Sequence, residues 1–293
     1  MTVVIWGLQF PVAKSAFEVV NAFHSAIFRF GVPACILVLM LLIYEGRSAL
    51  VPTRSTLRMS LPGVLGMSAT PSLIFGGLMF TRPEIAAIIV ATQPIMTVVA
   101  QRFAGGTRPG IMTLSCVLIA FLGVITVVTQ WKTDLNLGKA ELIGNLMVFT
   151  GAFGWVIYTI ILSRYKDESS LRISTWHIGI GTIANSLLVV VLVGIGVIDN
   201  PSAAAWYEVR FELIFLAFVG VLVAMTGWNA GARLLGPLNA MLFINLIPVV
   251  TFTVRYWQGY RFTVTELVGA GMVIGALIAQ NLVLRYRLKH PKQ

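Results

Sequence analysis

PEIAAIIVATQPIMT (residues 83–97) and PLNAMLFINLIPVVT (residues 237–251) decide how this chain is read. Both open on proline, and both carry a second proline eleven residues later and a threonine three beyond it. Pro83, Ala86, Pro94 and Thr97 thus stand against Pro237, Ala240, Pro248 and Thr251 at one offset of 154 residues. The same offset pairs Gly66 with Gly220 and Gly77 with Gly231 upstream. The prolines carry most of the weight, because glycine and alanine matches are common in apolar sequence. The chain therefore reads as one unit stated twice, residues 1–130 and 131–293.

Hydrophobic residues make up 57% of the 293 positions and charged residues 11%, more apolar side chain than a soluble domain can hide. About 20 apolar residues in a row cross a hydrocarbon layer of roughly 30 Å as a helix. Ten stretches qualify: 2–19, 22–44, 61–80, 85–103, 110–129, 142–163, 173–198, 213–232, 238–257 and 264–284. Five fall in each half, and an odd number sends the second copy into the membrane from the opposite side. The expected fold is an all-α integral membrane protein of ten transmembrane helices, built as two inverted five-helix repeats. That construction serves alternating access in many secondary transporters. The first stretch is short, and a signal peptide is the competing reading. Nine further spans and no small-residue cleavage motif argue against it.

The net charge of +10 invites a nucleic-acid reading, but its distribution says otherwise. With the N-terminus cytoplasmic, the inside loops hold thirteen Lys and Arg, Arg108, Lys166 and Lys292 among them. The outside segments hold seven: Lys14, Arg82, Lys132, Lys139, Arg210, Arg255 and Arg261. That asymmetry over short loops places both termini in the cytoplasm. Cys35 and Cys116 fall mid-span as small apolar fillers, and no cysteine or histidine grouping suits a metal.

Several side chains within the spans invite chemistry. Trp6, Phe10 and Lys14 recur every four residues and share a helix face. Trp155 and Tyr158 occupy the related face of the sixth span, Trp6 corresponding to Trp155. Interfacial anchoring is the plain alternative for Trp6, whereas the depth of Trp155 favours a cavity wall. Pro94 and Pro248 each interrupt a uniformly apolar span and release a carbonyl one turn earlier, which in lipid needs protein or cavity water. They read as kink or hinge points, with simple packing kinks the alternative. Asn245 lies one turn before Pro248, and Gln93 adjoins Pro94 on a different face from Ala91. Trp228 and Asn229 answer Ile74 and Phe75 across the repeat and offer stacking beside an amide, either for a ligand or for a neighbouring helix.

His24 and His177 are symmetry mates that either titrate or serve as fixed hydrogen-bond partners. Arg29 is the one strongly charged residue at depth, functional by default unless it snorkels to the surface. Gly271 and Gly275 form a GxxxG, expected to pack within the monomer rather than to dimerise it. No acid falls mid-span: Glu18, Glu84, Glu141 and Glu266 all sit at ends. That argues against strict proton-for-drug antiport and for facilitated or weakly coupled export.

Together these pieces resemble the EamA family of the drug/metabolite transporter superfamily. Trp6-Gly7 with Phe10 and Lys14, Arg29-Phe30, Ala86 to Ile89 with Pro94, and Leu118-Ile119 with Gly123-Val124 carry the resemblance. Pro237, Ala240, Pro248, Gly269 and Ile274 repeat it. Within the family the opening and the aromatics look most like bacterial aromatic amino acid exporters. The resemblance implies a cavity walled by helices one, three, four, six, eight and nine, with five and ten as peripheral struts. Family members usually carry a glutamate just before the fifth and tenth helices. Here those places hold Thr107 and Tyr260, followed by Arg108 and Arg261, so that glutamate's role does not transfer.

The expected protein is a multi-pass transporter of the bacterial inner membrane, without enzyme activity, cofactor or metal. It exports small amphipathic metabolites, amino acids including aromatic ones. Its partners are that substrate and the lipid bilayer, with no nucleic acid, and it works as a monomer. Trp6, Phe10, Phe75, Trp155, Tyr158, Trp228, Asn229 and Asn245 are the candidate cavity residues. Lys14 or Arg29 is the candidate contact for a substrate carboxylate. Export of cationic drugs, nucleosides or sugars is the alternative cargo. A membrane-embedded enzyme is the remote one, because no nucleophile, base and metal set clusters.

Overall fold

The computed structural model describes residues 1–103, 110–130, 138–165 and 168–289. Thr107, Arg108, Lys132, Lys166 and Lys292, named above, lie outside the described residues. Among the described residues there are helices and connections and no strand. We number the helices α1 (Thr2–Phe17), α2 (Ala22–Tyr44), α3 (Arg54–Val64, Leu65–Ala69, Thr70–Leu78), α4 (Pro83–Ala91, Gln93–Phe103), α5 (Ile111–Thr129) and α6 (Lys139–Leu162). They continue with α7 (Ser170–Gly194), α8 (Ala203–Glu208), α9 (Arg210–Ile214, Phe215–Val223, Ala224–Leu235), α10 (Pro237–Phe243), α11 (Leu246–Trp257) and α12 (Val264–Lys289). Six, namely α2, α3, α4, α6, α7 and α9, are long and apolar enough to cross a membrane. The apolar stretches of α5 and α12, Leu114–Val128 and Val264–Gln280, are shorter. Large apolar side chains such as Ile43, Ile183 and Val190 are exposed on the outside of the bundle, the surface a bilayer covers.

Helix starts follow ordinary capping chemistry. The Asn21 side chain accepts from Phe23 N at α2, and Thr53 and Thr56 form a capping box at α3. Ser169 accepts from Arg172 N at α7. Gly236, at φ 78°, turns the chain between α9 and α10 in a conformation that side chains avoid.

Two places inside the bundle depart from α geometry, and both fall on the glycines paired in sequence. Gly66 lies in the wider π-helical stretch Leu65–Ala69 of α3, and Gly220 in the stretch Phe215–Val223 of α9. A Cβ on Gly66 would stand 2.3 Å from the Tyr158 ring, and one on Gly220 would meet the Gln9 amide. The two candidate hinges are breaks as well. α4 is interrupted at Thr92, beside Pro94, and α10 and α11 part between Phe243 and Leu246, beside Pro248.

Prolines inside helices release carbonyls, and side chains from elsewhere in the bundle capture them. Pro11 leaves Gly7 O free, and the Thr251 hydroxyl donates to it at 2.8 Å. Pro62 leaves Arg58 O, which accepts from Tyr165 Oη at 2.9 Å. Pro71 leaves Met67 O, which accepts from Asn185 Nδ2 at 3.1 Å. The Asn185 oxygen in turn accepts from Ser68 and Ser72. α7 is thereby pinned to the π-helical turn of α3.

Helices α2 and α7, α3 and α6, and α5 and α12 run along one another. Small residues set two of these approaches: Gly77 lies on Gly144 and Gly123 on Gly269, each with its partner's carbonyl where a Cβ would go. The expectation for Gly271 and Gly275 is corrected. Both are exposed on α12 with no heavy atom within 4 Å of an added Cβ, because Gly269 and Val273 form the face that meets α5. Cys35 is exposed rather than a core filler, while Cys116 is buried. Gln280 of α12 is buried, with both polar atoms of its side chain unpartnered among the described residues.

Gly123→Ala and Gly269→Ala should each lower thermal stability by about 1–3 kcal/mol, because overpacking forces backbone apart. Gly271→Ala and Gly275→Ala should stay within about 0.5 kcal/mol of wild type in the same melting assay.

Candidate functional site

Helices α1, α3, α4, α6, α9 and α11 meet around a central cavity, and α2 reaches it with one residue, Arg29. Three indoles cluster at its aromatic end, Trp6 and Trp155 on the wall and Trp228 behind them. Trp6 meets Trp155 edge-on at 5.4 Å between ring centroids and Trp228 at 5.1 Å, with Trp155 and Trp228 5.9 Å apart. Phe10 stacks on Phe75 at 6.1 Å on the other side. Such arrangements are worth about 0.5–1.5 kcal/mol per pair beyond buried area. In this conformation the cavity holds about 60 Å³, room for a few waters. Ligand pockets usually exceed about 300 Å³, so an aromatic solute must first spread these walls.

Polar groups line the cavity with their hydrogen bonds unmade. Gln9 Nε2, Arg29 Nε, Thr70 Oγ1, Gln93 Oε1 and Trp155 Nε1 are all buried without a partner among the described residues. Gln93 Nε2 donates to Ala152 O at 3.0 Å, while its oxygen stays without a partner. Arg29 is 2% exposed, so it does not snorkel. Its guanidinium carbon lies 3.9 Å from the centroid of the Phe75 ring. A desolvated cation over a ring gains about 2 kcal/mol, less than the several kcal/mol needed to desolvate the charge.

The sequence-derived residues divide accordingly. Trp6, Phe10, Phe75, Trp155 and Arg29 line the cavity. Trp228 stands behind it, its Nε1 donating to Thr159 Oγ1 at 3.3 Å. Tyr158 and Asn229 face away, into a separate buried network. Tyr158 Oη donates to Asn229 Oδ1 at 2.9 Å and lies 3.0 Å from His177 Nδ1, and Asn229 Nδ2 donates to Ser174 Oγ. His24 Nε2 pairs with Asn200 Oδ1, so each histidine has one ring nitrogen bonded, while His24 Nδ1 and His177 Nε2 have no partner among the described residues. Asn245 sits in the α10–α11 break with its oxygen unpartnered, while its neighbours Ile244 and Ile247 reach the cavity. Pro94 and Pro248 lie at helix breaks rather than on the cavity surface. Lys14 is spent elsewhere: its Nζ donates to Leu78 O and Met79 O, capping the end of α3. Gln9, Thr70 and Gln93 were given no site role from sequence. The rule that singled out Arg29, a polar group at depth, applies to amides and hydroxyls as well.

One end of the bundle is closed by charge. Arg82 contacts Glu266 at 2.5 Å, Glu84 at 3.8 Å and Glu141 at 4.0 Å, and Arg255 reaches Glu84 at 3.3 Å. Tyr260 and Gln130 also donate to Glu266. Glu84 and Glu266 side chains are wholly buried, although both lie at helix ends in sequence. Partial burial, then the bond to Glu266, pushes the Tyr260 phenol up to about 12. Tyr260 therefore remains a donor throughout the physiological range. A larger void of about 320 Å³ between α4, α5 and α6 is lined almost wholly by apolar side chains, including exposed Phe121 and Phe149. It belongs to the lipid-facing surface.

A bundle of long apolar helices around a buried aromatic cavity is the architecture of a multi-pass membrane protein. The profile of the EamA-like transporter family matches residues 1–129 and 142–281, and the chain belongs to that family. It is 30% identical over 284 residues to the "Uncharacterized transporter YrdR" of Bacillus subtilis (strain 168), covering 96% of this chain and 88% of that one. It is 28% identical to "Uncharacterized transporter YyaM" of the same organism, with coverage of 95% and 90%. One solved structure, titled "Crystal structure of protein", shares the fold with a TM-score of 0.68 at 16% identity, covering 97% of this chain and 95% of that one.

Arg82→Ala strands buried carboxylates and should cost about 2 kcal/mol of thermal stability, discounted for the partial exposure of Arg82. The raised Tyr260 pKa favours the neutral phenol in the folded state. Its contribution is whole below the unfolded value of about 10 and is lost as pH rises through about 12. The stability difference between wild type and Tyr260→Phe should therefore shrink across that window in a pH series of melting curves.

Proposed function

We propose that this protein exports small amphipathic metabolites, aromatic amino acids among them, across a bacterial inner membrane by alternating access. The observation that carries the reading is the central cavity walled by Trp6, Trp155, Phe10 and Phe75, with Trp228 behind. Indole and phenyl faces suit a flat apolar side chain, and the few polar groups orient its polar end. No carboxylate lines this cavity among the described residues, which disfavours cationic drugs as the main cargo.

The proposed topology has ten crossings in two inverted repeats with both termini cytoplasmic, and the protein acts as a monomer. α1, α5, α12 and the broken pair α10–α11 join the six long helices to make the ten. Support comes from backbone features that recur at the sequence offset: the π-helical turns at Gly66 and Gly220, and the breaks beside Pro94 and Pro248. Trp6 and Trp155 are counterparts with unequal bonding. Trp6 Nε1 donates to Gly220 O at 3.3 Å, while Trp155 Nε1 has no partner. Exchange of halves gives the other state, in which Trp155 takes Gly66 O and Trp6 is released. The charged closure around Arg82 lies on the outer side in this topology and opens in that exchange.

Labelled phenylalanine uptake into proteoliposomes, with and without an imposed pH gradient, tests the reading. Saturable uptake indifferent to the gradient is the expected result. Trp155→Ala and Trp228→Ala should weaken apparent affinity about tenfold, each indole contributing on the order of 1.4 kcal/mol. Wild-type uptake by both variants, with folding confirmed by circular dichroism, sinks the cavity assignment.

A further inference from the structure

We infer that Arg29 is the anion-binding group of the cavity, and that the cargo is a carboxylate with an aromatic-sized apolar tail whose ammonium group is dispensable. The inference rests on the transport reading above and narrows it to one chemical class.

Two cations were candidates for a substrate carboxylate, and the fold separates them. Lys14 has two carbonyl acceptors and lies off the cavity. Arg29 lies on it with no hydrogen bond or ion pair among the described residues; only the Phe30 and Phe75 rings approach its guanidinium. A cation held at depth without a counter-charge calls for an anionic partner at some point in the working cycle. The same cavity is lined by Gln9, Thr70 and Trp155, whose Nε2, Oγ1 and Nε1 are buried and unpartnered among the described residues. Every one of these groups donates, and the indole nitrogen can do nothing else. Among the buried, unpartnered side-chain atoms that line the cavity in the described residues, Gln93 Oε1 and the Thr70 hydroxyl are the ones that can accept. A carboxylate offers up to four lone-pair sites to Arg29 and these donors, whereas an ammonium is repelled by the Arg29 charge and has only the Gln93 oxygen and the Thr70 hydroxyl among these atoms to accept from it.

Shape agrees with charge. Arg29 lies on the Phe75 ring, and Phe75 stacks on Phe10, so the charged head and apolar walls adjoin. A carboxylate on Arg29 can extend its tail toward Trp6 and Trp155. Met225, unbranched and adaptable, lines the same cavity and can yield as the walls spread.

Purified protein in detergent is titrated with phenylacetate, phenylalanine and phenylethylamine while tryptophan fluorescence is read. Phenylacetate and phenylalanine should bind with similar affinity, and phenylethylamine at least about tenfold more weakly. Arg29→Gln should weaken phenylacetate binding at least about tenfold, and Arg29→Lys, which keeps the charge but not the planar fork, should fall between. Lys14→Gln should leave the order of the three ligands unchanged. The wild-type ligand series stands whether or not a given variant folds. Phenylethylamine binding as tightly as phenylacetate, or Arg29→Gln retaining wild-type affinity for phenylacetate, overturns the inference while phenylalanine uptake still upholds the transport reading. Failure of all three solutes to bind overturns the inference and the aromatic-cargo reading together.

Discussion

Every backbone carbonyl in a bilayer needs a donor, and this chain breaks its own helices with prolines at the places where other segments can supply one. Gly7 O, Arg58 O and Met67 O are freed by Pro11, Pro62 and Pro71 and taken by Thr251, Tyr165 and Asn185. Each capture is a hydrogen bond between segments far apart in sequence. In lipid there is little hydrophobic drive between helices, so such bonds and close glycine contacts are what hold the bundle. The prolines that weaken single helices thereby join different ones.

The same accounting locates the working part of the molecule. Outside the cavity, Tyr158, Asn229 and Ser174 bond one another and Glu84 and Glu266 have arginines, while the unpartnered atoms there, among them His24 Nδ1, Asn145 Nδ2, His177 Nε2 and both polar atoms of Gln280, are spread over different helices. Inside it, Gln9, Thr70, Gln93, Trp155 and Arg29 each keep an atom unpartnered. An unmet buried group costs about 1–3 kcal/mol, and several around one void are a substantial strain on the resting fold. A ligand that supplies the missing partners recovers that energy on binding, which is how a pocket becomes selective.

Much of this was legible in the sequence. The apolar spans, the proline pairs and the glycine pairs anticipate the long helices, the breaks at Thr92 and between Phe243 and Leu246, and the π-helical turns. Trp6, Phe10, Phe75, Trp155 and Arg29 were legible as site candidates, because aromatic or charged residues at depth are conspicuous. Tyr158 and Asn229 read the same way and yet face each other, since the rotation of α6 relative to α9 decides whether two polar groups meet a ligand or themselves. Gln9 and Gln93 were given no site role because one amide in an apolar helix is unremarkable until four more unmet groups line the same void.

The division follows from range. Span length, helix breaks and overall class depend on neighbours within about a turn or on composition, and the sequence by itself determined them. The partner of each polar group depends on which faces meet across the bundle. Only the tertiary structure decided that Lys14 caps α3 while Arg29 is left bare in the cavity, that Gly269 rather than Gly271 meets α5, and that two end-of-helix glutamates are buried together. Those outcomes turn on a few ångströms of helix rotation and shift, which no local pattern in the chain encodes.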